Sequence, residues 1–569
     1  MSDLVPKNKA EGGNSDAFPL RRVLQATKDW KSKLADVPVS DLVKAVDSAA
    51  ALVRQTAAEL QERKPNATVG DLAKSAVPSL LAYTAEHMVS AILSDERLQQ
   101  RLQALEDEVH FTIDPRTRSG LRLKSMLGRV GEIVLDDARP DEDALDKTLQ
   151  VLKREGFTIL RMGRFGIRAC GPARLLSAVL NEPLAVTAVP RPARNRATMM
   201  FTETPSPPTP SELFAAPRSS LSIDGKRLHA AINDFVFVPP PLLLAPVAYP
   251  SAIPAWAVDR GRMRQLLRVP NVSGRGQGVR LAIVDSGFDF SHPYFASANF
   301  NANAVSTRVG PQADIDPAGH GTAMAANALT IAPNVELLGF KFSDPGGAIE
   351  EAATAGAEII SCSWGYNMEQ TFPQMHLSIR SAIEDDGCIV LFAAGNGQYC
   401  WPASDPNVIA IGGVYADPAS MELRASDFAS GFTSNLYPGR HVPDICGLCG
   451  MAPAGIYLPL PVPPGSELDR ATGGLYFPDK DETGVDDGWV YASGTSSATA
   501  QIAGVTALLV EQAKLKGRTL NYSDVRTILQ QSARPVTAGH NVFGFPAIGH
   551  PNIAVGYGLV DVTTALSLV

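Results

Sequence analysis

The chain has 569 residues, of which 45% are hydrophobic and 19% charged, a balance that suits a multidomain globular protein and excludes a disordered one. Its net charge of −8, with no basic stripe, argues against nucleic acid or an anionic membrane surface as the main partner. Six cysteines are too few for a disulfide scaffold in a chain of this size, and the opening residues lack the apolar core of a secretory signal, so reduced thiols in the cytoplasm are the expectation.

In chain order, residues 18–108 are rich in Ala, Leu, Lys, Glu and Gln, with apolar positions at helical spacing, as in Leu42, Val43, Val46, Ala49, Ala50 and Val53. Residues 1–115 are therefore expected to form a helical domain, one able to dock a dedicated partner protein. From 127 to 190 the pattern changes to strand, helix, strand, strand, helix, strand. Its parts are a strand at 131–135, a helix at 141–155, strands on either side of a tight Gly163–Arg164 turn, a helix at 172–180 and a last strand at 184–189. A small α+β unit is assigned to 116–190 and a Pro-rich linker to 191–253. The longest uncharged run, 235–258, carries six prolines and reads as an extended connector rather than a membrane span.

Beyond residue 254 three short segments carry chemistry. An apolar run feeds Asp285 in Ile283-Val284-Asp285-Ser286-Gly287; His320 opens a helical stretch in His320-Gly321-Thr322; and Ser496 lies at a Gly-Thr turn before another helix in Ser493-Gly494-Thr495-Ser496. A serine hydroxyl is a weak nucleophile until an imidazole takes its proton, and the imidazole needs a carboxylate to fix its tautomer and orientation. Asp285, His320 and Ser496 supply that set, so the chain reads as a serine hydrolase.

The order Asp, His, Ser is that of subtilisin. From about Pro254 to Val569 the chain resembles the subtilisin-like serine peptidases, in the segments named and in two more: Ala393-Ala394-Gly395-Asn396, and Ser361-Cys362-Ser363-Trp364-Gly365. The resemblance implies a parallel, doubly wound α/β sheet over 254–569, with the active site at the carboxyl ends of its strands. It implies Ser496 as nucleophile, His320 as general base and then acid, Asp285 as the orienting carboxylate, and the Asn396 amide with the Ser496 N–H as oxyanion donors. Ser363, Trp364 and Gly365 would receive substrate backbone as an added strand, Trp364 would form an apolar wall, and Gly395 would leave room in the pocket beside it. The unit at 116–190 resembles, in its order of elements, the inhibitory prodomain that precedes many such peptidases, which makes a zymogen the expectation.

The departures from the family pattern are Ser497 and Ala500 where Met and Pro are usual, a short connection at Thr330–Asn334 where many relatives carry a calcium loop, and a Pro- and Gly-rich insert between Asp444 and Trp489 that could wall the cleft. No cofactor or metal is implied. Cys446 and Cys449, with His441, lack the second pair a structural zinc commonly uses, and Cys362 is expected to be a small buried residue. The expected substrate is a protein or peptide. A peptide-processing transferase that ligates or cyclises through the same acyl-enzyme, and a noncatalytic scaffold, are the two alternatives.

Overall fold

A computed structural model describes residues 108–126, 132–182, 184–188, 213–217, 221–238 and 242–243, and residues 260–569 apart from 272–273, 299, 306–311, 343, 367–371, 418–419, 452–457, 475–480 and 482. The expected helical domain, 1–115, lies outside the described residues except for its last stretch, which is a strand. Residues 108–171 and 175–569 form one compact unit.

The first sheet runs β2-β3-β1-β5-β4, with β1 Glu108–Pro115, β2 Thr158–Met162, β3 Ile167–Pro172, β4 Ser222–Asp224 and β5 Ile232–Val236. Two helices accompany it, α1 Glu142–Arg154 and α2 Ala173–Leu180. The start of α1 is set by Asp141, whose side chain accepts the Ala144 N–H at 2.9 Å. Phe111, Phe157, Phe235 and Phe237 fill the core, with Phe111 and Phe157 edge to face at 5.4 Å.

Both helices fall where the sequence puts them, but the strands differ at both ends. Of the stretch 131–135, the described residues 132–135 supply no strand; the sheet instead takes β1 from the end of the expected helical domain. It takes β4 and β5 from the stretch read as linker, and Leu184–Ala188 pairs with Leu213–Pro217 in a separate two-stranded sheet. The turn after β2 spans four residues, closed by Gly163 N–H to Gly166 O at 2.8 Å. Thr112 of β1 pairs with Val236 of β5, more than a hundred positions away, and no local pattern reports such a partner.

The larger sheet has eight strands. They are β7 Arg280–Asp285, β8 Ala302–Val305, β9 Glu336–Lys341, β10 Ile359–Cys362, β12 Ile389–Ala393, β13 Ile409–Ala416, β14 Leu423–Ala425 and β15 Ile445–Leu448. Two short strands lie outside it, β6 Leu242–Leu243 and β11 Trp364–Gly365. The order is β8-β9-β7-β10-β12-β13-β14, with β15 also paired to β13; all pairs are parallel except β13 with β14.

Strands of a sheet covered on both faces are apolar at every position. Here successive residues feed two cores in turn: Leu281 and Ile283 join one, Ala282 and Val284 the other. The first core is capped by α3 His320–Ile331 and α7 Thr495–Leu515, the second by α4 Pro345–Thr354 and α5 Pro373–Glu384. Because β7 lies between β9 and β10, the connections leave it in both directions, and the crevice at its carboxyl end is the switch point where such sheets bind ligands. α7 is buried along nearly its whole length, which its Ala, Gly, Ser and Thr residues allow, and the Thr499 and Thr506 hydroxyls donate back to the Thr495 and Ile502 carbonyls. Among the described residues no helix is long and apolar enough to cross a membrane.

Candidate active site

Asp285 ends β7, Ser363 follows β10 and Asn396 lies three residues beyond β12, so three of the sequence-selected residues come to the carboxyl ends of neighbouring strands. His320 is the first residue of α3 and Ser496 the second of α7, helices packed in the same core. Asp285 and His320 are fully buried, and Asp285 Oδ1 lies 2.8 Å from His320 Nδ1, a contact that fixes the proton on Nδ1 and turns Nε2 to the opposite side of the ring. The Ser496 hydroxyl donates to the Ser363 carbonyl at 3.0 Å, and the Ser363 hydroxyl donates to the Ser496 carbonyl at 3.1 Å. This reciprocal pair locks the Ser496 segment to the strand edge.

Asn396 is oriented by a residue that sequence reading passed over. Its Oδ1 accepts the Thr495 N–H at 3.0 Å and the Thr495 hydroxyl at 2.9 Å. A backbone N–H can only donate, so the carboxamide must present its oxygen there and its NH2 on the opposite side. Gly395 has φ +114°, a conformation that disfavours any side chain, and a Cβ on it would come within 2.9 Å of Ser430 Oγ. Its glycine is thus required by this turn, where the Ser430 hydroxyl accepts the N–H groups of Gly397 and Gln398 at 3.0 Å each.

Trp364 departs from the expected cleft wall. Its side chain is fully buried, donates from Nε1 to Val284 O at 2.7 Å, and meets the rings of Phe342, Tyr366 and Phe392 edge to face. Alternation carries the signal: Ile360, Cys362 and Trp364 share one face, and all three lie in the same core. Only the backbone of β11 is offered outward, and it is occupied. Leu243 pairs with Trp364 and Leu242 with Gly365, antiparallel, so the stretch that follows β5 lies along this edge.

A network behind the imidazole was also missed. Asp316 is buried and accepts the Ser286 hydroxyl at 2.7 Å, the Gly319 N–H at 2.9 Å, and the Thr322 N–H and hydroxyl at 2.9 and 2.7 Å. Burial pushes its carboxyl above the usual range, the hydrogen bonds from Thr322 and Ser286 pull it down, and neighbouring Asp285 adds to the upward push. An Asp four positions before the His is the available cue. The insert reinforces the same loop: within it, α6 Glu467–Thr472 docks through the Glu467 and Leu468 N–H groups on the Pro317 and Ala318 carbonyls at 2.9 and 3.1 Å. It therefore braces the approach to His320.

α3 ends at Ile331 and β9 begins at Glu336, leaving only Ala332–Val335 between them. Cys362, Cys446 and Cys449 are buried thiols; burial raises the first two well above the usual range and the third to about 12. Among the described residues no three His, Cys, Asp or Glu side chains come together as a metal site.

The sequence profile of the subtilase family matches residues 276–558. A calcium-dependent protease of Trichormus variabilis is 26% identical over 343 residues, covering 52% of this chain and 46% of the relative. A thermophilic serine proteinase of Bacillus sp. strain AK1 is 25% identical over 315 residues, covering 50% and 64%. The chain thus spans about half to two thirds of these relatives' own lengths. Among solved structures, fervidolysin of Fervidobacterium pennivorans, a keratinolytic enzyme related to subtilisin, aligns with TM-score 0.49 and 16% identity over 81% of this chain and 61% of its own. A lanthipeptide protease aligns with TM-score 0.39 and 19% identity over 54% and 93%. Through the matched segment, with its strand-end Asp285, its His320 helix and its Ser496 helix, the chain belongs to the subtilase family.

Proposed function

We propose that this chain is a serine endopeptidase that cleaves peptide bonds through an acyl-enzyme on Ser496. The observation that carries the reading is the buried Asp285–His320 contact of 2.8 Å at the switch point of the sheet, in the same core as the helix that begins with Thr495 and Ser496. His320 Nε2 takes the Ser496 proton as the hydroxyl attacks the carbonyl carbon, then returns it to the leaving amine; Asp285 stabilises the imidazolium without taking the proton. The tetrahedral oxyanion is held by Asn396 Nδ2 and the Ser496 N–H, at a helix N-terminus whose partial positive charge favours it. Water then hydrolyses the ester. Labelling by a fluorophosphonate probe, lost in Ser496→Ala, tests the nucleophile. Mass spectrometry of the products separates hydrolysis from ligation or cyclisation, since only hydrolysis adds water.

The pairing of β6 with β11 favours control by the N-terminal region. An extended segment on the edge that would take substrate backbone acts as a competitor, and covalent attachment makes its effective concentration high. The cut we expect the chain to make in itself lies within 191–253, the stretch that carries β6. Intact mass of the wild type against Ser496→Ala tests this: a new N-terminus within 191–253 in the wild type alone supports self-cleavage there. Full-length wild type with unimpaired activity would leave the segment as a docking element.

A further inference from the structure

α3 begins without a capping side chain. Its N-cap position is Gly319, at φ +82°, so the first N–H groups of the helix must find acceptors elsewhere. Asp316 supplies one carboxylate oxygen to Thr322 N–H and the other to Gly319 N–H, and Ser286 Oγ accepts Gly321 N–H at 3.0 Å. The same Ser286 donates its hydroxyl to Asp316, while its backbone N–H donates to Asp285 Oδ1 at 2.7 Å. The two hydroxyls on Asp316 each already accept a backbone N–H, Ser286 from Gly321 and Thr322 from Asp289, so both turn their protons towards the carboxylate. Four donors converge on this carboxylate and favour its ionised form, opposing the burial that pushes its pKa up. One anion therefore spans the backbone after Asp285 and the backbone around His320.

We propose that Asp316 is a positioning residue of the proteolytic site: its carboxylate caps α3 in place of the missing side chain and, through Ser286, sets the distance and angle between Asp285 and His320. This rests on the assignment of Asp285, His320 and Ser496 as the reacting set. The charge also acts on the imidazole. As a second anion behind Asp285 it favours the imidazolium that forms when Ser496 is acylated, although Asp316 touches neither substrate nor reacting atoms. The other charged groups around it are Lys341, whose ammonium donates to Ile315 O at 2.7 Å, together with Asp314, Asp289 and, from the insert, Glu467.

The test is Asp316→Asn beside Ser286→Ala, with kinetics normalised to sites titrated by fluorophosphonate. In Asp316→Asn the amide must aim its NH2 at two existing donors whichever way it turns. The expected result is a kcat lower by about 10–100-fold with KM changed little, because small misplacements of reacting groups cost on that order. The acid limb of kcat/KM should move to lower pH, since an anion that favours imidazolium is gone. Ser286→Ala keeps the charge and cuts the tie, so kcat should fall while the acid limb stays. A role in folding alone predicts fewer titratable sites but unchanged kcat per site and an unchanged acid limb, and that result in either variant overturns the proposal. If Asp316→Asn yields no folded protein, Ser286→Ala decides by its kcat. Failure of the underlying assignment is separate: wild type would not label, or Ser496→Ala would retain turnover.

Discussion

Two regions of this molecule are joined to the same parallel sheet by opposite physical means. Around Asp285 and His320 the contacts are short hydrogen bonds between buried or partly buried groups, centred on two carboxylates, Asp285 and Asp316. Where the α+β unit meets α4 and α5, the contacts are ion pairs in partial contact with water. Arg139 reaches Asp385 at 3.1 Å, Arg164 reaches Asp386 and Ser381 at 2.6 Å, and Arg161 bridges Glu350, Asp344 and Glu351. Leu377 of α5 adds an apolar contact with Leu123, Ile133, Leu135 and Phe165. Screening by salt weakens the second kind of contact far more than the first. A chemistry-bearing region needs fixed geometry, whereas the control proposed for the α+β unit needs an attachment that conditions can loosen.

The comparison can be broken most decisively at the nucleophile. Ser496→Ala should lower kcat by roughly 10⁶-fold and Asn396→Ala by about 10²–10³-fold, the ranking expected when one loss removes the reacting atom and the other a single oxyanion donor. Equal losses, read by steady-state hydrolysis of a peptide substrate, would remove Asn396 from the oxyanion site.

Next come the arginines of the interface. Arg161 is mostly buried between carboxylates, so Arg161→Ala leaves Glu350 buried with its partner gone, a change of about 3–5 kcal/mol. Inhibition of the separated peptidase by an added 108–243 fragment should weaken by a hundredfold or more. Arg139→Ala, at a more exposed pair, should weaken it by less than about fivefold. Raising the salt from 0.1 to 1 M should weaken the wild-type fragment without lowering kcat of the separated peptidase. A parallel loss of kcat would show that the two regions do not differ as described.

The last effect concerns pH. Asp114 of β1 is buried opposite Asp234 and receives a hydrogen bond from Gln374 of α5; burial lifts its carboxyl to about 8, against 3.8 for the exposed group. A carboxyl raised on folding holds a proton that the unfolded chain releases, so stability is greatest below about pH 4 and is lost as the pH rises to about 8. Melting of the uncut Ser496→Ala protein should show that slope in its α+β transition, and Asp114→Asn should flatten it. An unchanged slope in Asp114→Asn would assign the dependence to other groups.

Much of this is legible in the sequence. α1 announced itself by Asp141 and its helical apolar spacing, and the parallel strands by short apolar runs such as Leu281–Val284, because both signals are local. Trp364 was misjudged although the alternation through Ile360 and Cys362 pointed it inward. The strands at 108–115 and 232–236 escaped because they pair with each other across more than a hundred residues, and the strand at 222–224 because it is a three-residue edge strand.

By itself the sequence determined which residues could do the chemistry, since nucleophile, base and carboxylate are matters of residue type and neighbouring motif. Only the tertiary structure decided how they are held: Asp316 as the cap of α3, Thr495 as the lock on Asn396, and Leu242–Leu243 on the strand edge. The last two depend on groups brought together across the fold, and Asp316, though near His320 in the chain, owes its role to Ser286 thirty positions before it; separation along the chain carries no information about such contacts.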